Sequence, residues 1–116
     1  MNGEPPAITG LEAFGALDLR VGRILAAEPL AGARKPAYQL SLDLGPLGRK
    51  GSSAQITDLY TPEELVGRLV VCAVNLGVRR IAGFESEVLV LGLPDEAGRV
   101  VLLAVEREVP LGGRVY

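Results

Sequence analysis

Two classes of side chain in this 116-residue sequence could do chemistry: its carboxylates, and a set of clustered arginines and lysines. Paired acids can act as general acid and base or hold a metal ion. The groups on offer are Glu63-Glu64, Glu85 with Glu87, and Asp95-Glu96. The first follows Thr61-Pro62 and reads as a helix start. The third sits in Pro94-Asp95-Glu96-Ala97-Gly98 and reads as a turn tip. Both are expected to be solvated charges. Histidine is absent, which removes Ser-His-Asp and Cys-His catalysis, His-containing zinc sites and the commonest acid–base residue together. Cys72 stands alone, which argues against a disulfide framework or a thiolate metal site. Catalysis is the minority reading; a non-catalytic binding module is expected.

The cations point to binding. Formal net charge is −2, which gives no long-range pull toward a polyanion. Yet residues 29–57 hold Arg34, Lys35, Arg49 and Lys50 against Asp43 alone, and residues 68–80 hold Arg68, Arg79 and Arg80 with no acid between them. On one face these make a basic patch; apart, they are ordinary loop charges, and the pattern leaves both open. Ser52-Ser53-Ala54-Gln55-Ile56 offers small hydroxyls and an amide, able to hydrogen-bond a backbone without bulk. Arg79 and Arg80 follow the Asn75-Leu76-Gly77-Val78 turn, and two arginines on a rim loop suit phosphate or carboxylate. Phe84, in Gly83-Phe84-Glu85-Ser86-Glu87, is either a stacking platform or a core residue. With only five aromatic residues (Phe14, Tyr38, Tyr60, Phe84 and Tyr116), recognition by shape and backbone is expected over base-by-base reading. Gly45-Pro46-Leu47-Gly48-Arg49-Lys50-Gly51 imitates a phosphate loop, but its glycine spacing fails and it lies between two strand-like segments.

The elements that must position these residues are short strands. A chain this long folds as one domain, residues 1–116. At 48% hydrophobic and 22% charged it is globular in composition. Its longest apolar runs, Leu69 to Val74 and Val100 to Val105, fall well short of the roughly 20 residues of a membrane helix. Met1-Asn2-Gly3-Glu4-Pro5-Pro6 has neither a basic nor an apolar signal region, so cytoplasm is the expected location. Thr9-Gly10-Leu11-Glu12 matches a capping box ahead of a short helix to Ala16. Leu19 to Glu28 is a strand candidate closed by Pro29, and residues 31–36 form a loop. Tyr38, Leu40, Leu42 and Leu44 alternate with polar residues in the clearest strand, which turns at 45–48 into a polar strand to Ile56. Thr61-Pro62-Glu63-Glu64, with Gly67 as terminator, predicts a helix of one or two turns. Leu69 to Val74 reads as a central strand, and Val88 to Leu93 and Val100 to Val105 as two more across a hairpin loop. This order matches an all-β, five-stranded OB-fold barrel with a short helix between strands 3 and 4 and extra terminal segments. An SH3-like barrel or a sandwich fits the pattern as well.

Several segments in order resemble one family: Val21-Gly22-Arg23-Ile24, Tyr60-Thr61-Pro62-Glu63-Glu64-Leu65-Val66-Gly67, Val74-Asn75-Leu76 and Gly83-Phe84-Glu85-Ser86-Glu87. Together they resemble the tRNA-binding OB domain, over roughly Phe14 to Arg114. Three departures, Ala33-Arg34-Lys35-Pro36-Ala37-Tyr38, the Ser52–Ile56 segment and Ser86-Glu87-Val88-Leu89, are similar to its CsaA branch of export-related chaperones. The resemblance implies a homodimer and no cofactor, and the short apolar runs imply no membrane insertion. It implies as ligands unfolded or preprotein polypeptide, handled with the export machinery, or alternatively tRNA. The surface expected to meet them comprises Arg34, Lys35, Tyr38, Arg49, Lys50, Ser52, Ser53, Gln55, Asn75, Arg79, Arg80, Phe84, Ser86 and Glu87, of which Asn75, Ser86 and Glu87 stand at the family's polar signature positions.

Overall fold

In the computed structural model, which describes residues 3–116, the spine is strand β1 (Leu19–Pro29). Met1 and Asn2, the start of the segment read above for a targeting signal, lie outside the described residues. β1 serves two neighbours in turn: its first half pairs with β4 (Leu69–Ala73), and its second half with β2 (Tyr38–Asp43), both antiparallel. The handover coincides with a register shift between Ile24 and Ala26, the local kink a bulge supplies. β3 (Arg49–Ala54) pairs with β2, and β7 (Leu89–Val90) with β4, giving the sheet order β3-β2-β1-β4-β7. The two edges approach each other where the Glu87 and Val88 amides donate to the Gly51 carbonyl (2.8 and 3.3 Å). The result is a nearly closed, five-stranded OB-like barrel, as the element order leads one to expect.

The alternation in β2 places Tyr38, Leu40, Leu42 and Leu44 in the core with Ile24, Ile56, Leu65, Val70 and Cys72. The helix α2 (Pro62–Leu65) plugs one end of the barrel, with Leu65 fully buried. It begins on the expected capping box: the Glu64 amide donates to Thr61 Oγ1, and the Thr61 amide donates back to Glu64 Oε1 at 2.7 Å. Gly67, at φ +93°, turns the chain out as the C′ glycine.

Three expectations need correction. The helix α1 (Leu11–Ala16) starts on Gly10, not Thr9, and no side chain caps it; Gly10 at φ +84° sets the entry instead. The stretch Val88 to Leu93 is two strands, β7 and β8 (Gly92–Pro94), and β8 leaves the barrel to pair with β9 (Val100–Leu102). The break falls where the Leu91 amide turns back to the Val71 carbonyl and where Gly92 passes within a side chain's width of Val100. The third correction concerns the arginines, described below.

Burial pushes the Cys72 thiol from its ordinary 9.0 up to about 12. The thiolate is therefore disfavoured in the fold, and the stability this lends is complete below pH 9 and lost as pH rises toward 12. Urea midpoints are expected to be flat to pH 8.5 and to fall above pH 9, with Cys72→Val removing that fall; an identical fall in the variant would refute the assignment.

Candidate ligand-binding cleft

Two loops build the site. The first, residues 30–37, joins β1 to β2 and is pinned at its base by the buried Leu30 and Ala37, whose backbones bond at 3.0 Å. Arg34, Lys35 and Pro36 are then exposed at its crest. The second is a hairpin that residue reading placed as a simple rim loop. Arg79 and Arg80 instead belong to a strand, β5 (Arg79–Ile81), paired with β6 (Phe84–Ser86) through Arg79↔Ser86 and Arg80↔Glu85. Its two-residue turn, Ala82-Gly83, has positive φ at both positions (50° and 81°), the geometry that matches strand twist. Alanine is not the usual residue there, so the hairpin signal was weak.

The hairpin leans on β3 because Gly51 has no side chain. A Cβ at that position would lie 2.8 Å from Phe84 Cζ and 3.0 Å from the Glu85 carbonyl oxygen. Phe84 thus packs its ring edge onto Gly51. Ser86 is buried, and its Oγ accepts from the Ser53 amide at 2.9 Å. Asn75 is also a brace: its Oδ1 accepts from the Asp18 amide, and its Nδ2 donates to the Ala16 carbonyl (2.9 and 2.8 Å). Ser86→Ala leaves the part-buried Ser53 amide without that acceptor and is expected to cost about 1–2 kcal/mol in chemical denaturation; a change under 0.5 kcal/mol would deny the brace.

Between the two loops lies a cleft of about 420 Å³ lined by Arg34, Lys35, Ser53, Gln55, Arg79 and Arg80, with small residues from both loops between them. The walls come close at Gly32 and Ala82, where a Cβ on Gly32 would lie 3.7 Å from that of Ala82. Beside it, sharing Ser53 and Arg79, runs a smaller hollow with Leu76, Ser86 and Leu89. Beyond that, a groove of about 470 Å³ lies between Leu47 and Lys50 on one side and the 74–78 loop on the other, with Glu87 and Val88 at its base. Leu76 and Val78 stand 56% and 62% exposed along these hollows.

Six of the residues singled out from sequence therefore share the cleft, and the rest divide. Lys50 and Glu87 form an ion pair at 3.8 Å in the outer groove. Arg49 is exposed at the start of β3. Tyr38 is core, its hydroxyl donating to the Tyr60 carbonyl at 2.7 Å. Ser52 faces the barrel interior, fully buried, with no partner for its Oγ among the described residues. Residue reading missed Leu76, Val78 and Leu89 as surface features; the first two alternate with Asn75 and Gly77 in a turn, and Leu89 sits within a strand segment that reads as core.

Known proteins share this fold. The family model for the putative tRNA binding domain matches residues 19–114. A methionine–tRNA ligase of Methanococcus maripaludis is 36% identical over 115 residues, which are 99% of this chain and 17% of that protein. The chain thus spans about a sixth of the curated relatives it matches. Two crystal structures are similar over nearly all of both chains. The chaperone CsaA of Bacillus anthracis has 47% identity and TM-score 0.86, covering 95% of this chain and 100% of its own. The CsaA chaperone protein of Picrophilus torridus has 37% identity and TM-score 0.88, covering 94% and 100%.

Proposed function

The chain belongs to the tRNA-binding domain family and is of the CsaA type, and from that premise we propose that it is a non-catalytic, homodimeric cytoplasmic chaperone holding unfolded or precursor polypeptide before export. One observation carries the polypeptide reading: four apolar side chains stand exposed along two adjoining hollows, Leu47 and Val78 on one and Leu76 and Leu89 on the other. Exposed apolar side chains beside a groove suit extended apolar segments. The dimer is supported by α1, none of whose six residues is buried. Among the described residues no group of three side chains could hold a metal ion, and no helix is long and apolar enough to cross a membrane.

The test is aggregation of a chemically unfolded client followed by light scattering. The protein is expected to suppress it, and a Leu76→Ser/Val78→Ser double variant to lose most of that effect. No suppression by the wild-type chain would end the reading.

The basic cleft favours a second reading, a structure-specific tRNA binder gripping the RNA backbone through Arg34, Lys35, Arg79 and Arg80. Salt separates the two. Four phosphate contacts imply a loss of affinity on the order of 10²-fold between 50 and 200 mM salt, whereas apolar binding holds or strengthens.

A further inference from the structure

Six of the twelve cations of this protein are paired with carboxylates within the fold. Arg20, Arg23, Lys50, Arg80, Arg99 and Arg114 each have a carboxylate partner, and Arg68 lies over the Tyr60 ring. Of the cations without an ion pair among the described residues, Arg34, Lys35 and Arg79 line one cleft, whose lining includes no carboxylate, while Arg49 and Arg107 lie elsewhere. In a chain of net charge −2 with 14 acidic residues, three unpaired cations lining one cleft make a local positive patch. The cleft adjoins the apolar hollow through Arg79 and Ser53, which line both. A ligand running from one to the other meets cations first and then Leu76 and Leu89.

We propose that this trough selects extended polypeptide segments in which acidic residues flank an apolar stretch, the carboxylates meeting Arg34, Lys35 and Arg79 and the apolar side chains meeting Leu76 and Leu89. The proposal rests on the polypeptide reading above and adds the chemistry of the segment. Guanidinium groups pair with carboxylates through two parallel hydrogen bonds. Ser53 and Gln55, between the two loops, supply hydrogen-bonding groups for a peptide backbone. The contacts are solvent-exposed, so each ion pair adds little alone and the set sets preference more than affinity.

The experiment uses fluorescence anisotropy with three labelled peptides that share one apolar core and are flanked by aspartates, serines or lysines. At low salt the aspartate-flanked peptide is expected to bind about tenfold tighter than the serine-flanked one, and the lysine-flanked peptide weakest. In 1 M salt, where screening acts within about 3 Å, the three affinities converge. In an Arg34→Ala/Lys35→Ala/Arg79→Ala variant the aspartate-to-serine ratio falls to about one. Equal binding of all three peptides, or tightest binding of the lysine-flanked one, overturns the selection and leaves the chaperone reading standing. No binding of any peptide, with steeply salt-dependent binding of tRNA to the same cleft, overturns both.

Discussion

Replacing Gly112 by valine is expected to remove about 3–5 kcal/mol of stability, a large share of what a domain of this size possesses. Gly112 belongs to a C-terminal strap that returns along β1. Its amide donates to the Val21 carbonyl at 2.8 Å, Val21 donates to the Gly113 carbonyl at 3.0 Å, and Val115 donates to the Leu19 carbonyl at 2.9 Å. The strap also crosses the turn after β2 at a point where both chains have given up side chains. A Cβ on Gly112 would lie 2.6 Å from the Leu44 carbonyl oxygen, and one on Gly45 would collide with the Leu111 carbonyl oxygen. Gly112 has φ +83°, which a β-branched residue tolerates poorly. Valine therefore adds backbone strain to a clash with backbone atoms that cannot swing aside. The two hydrogen bonds flanking it must lengthen or break. Gly113→Ala is the comparison: its nearest neighbour is 3.2 Å away and its φ is not positive, so a smaller loss is expected. Urea unfolding monitored by circular dichroism measures both. A loss below 1 kcal/mol for Gly112→Val would show that the strap yields and that the crossing does not hold the fold. Asp18 reinforces the same strap. Its carboxylate is held below the usual range first by the hydrogen bond from Arg20 and then by the charge of Arg114 on the strap, with burial opposing. That contribution is present above pH 3.8 and is lost as pH falls through the lowered value.

The barrel was legible because its signals are local. The alternation from Tyr38 to Leu44, the capping box at Thr61 and the apolar run from Leu69 each follow from period and cap chemistry alone, and each stands where expected. The cleft was half legible. Residue type singled out Arg34, Lys35, Arg79 and Arg80, but sequence could not show that they meet. Their meeting depends on β5–β6 folding over β3, which depends on the missing side chain of Gly51 and on an Ala82-Gly83 turn that carries no asparagine or glycine pair to announce it. The polar residues were ambiguous for the opposite reason. Asn75, Ser86 and Ser52 look like ligand contacts by type, yet the first two spend their polar atoms on backbone groups of this chain and the third faces the interior. A polar side chain has two uses, and only its neighbours decide between them.

Phe14→Asp is expected to convert the proposed dimer to a monomer, raising the dissociation constant at least about 100-fold. A helix as short as α1 does not persist on propensity alone, and this one has neither a buried residue nor a side-chain cap at its start. Side-chain hydrogen bonds hold its far end, from Asn75 to the Ala16 carbonyl and from Arg114 to the Gly15 carbonyl. Leu11 and Phe14, three residues apart on neighbouring turns, are 87% and 45% exposed, and Ile8 and Leu17 extend the apolar run beyond the helix. A segment ordered this way, with its apolar side uncovered, fits one that is completed by a second copy of itself across a two-fold axis. An aspartate would place a charge in that apolar contact on both subunits at once, and an aromatic ring alone buries 150–250 Å². Sedimentation at micromolar concentration is expected to give a dimer for the wild-type chain and a monomer for the variant, and the wild-type melting temperature to rise with concentration. A wild-type monomer with a concentration-independent melting temperature would refute the dimer and leave α1 without a partner to account for its order.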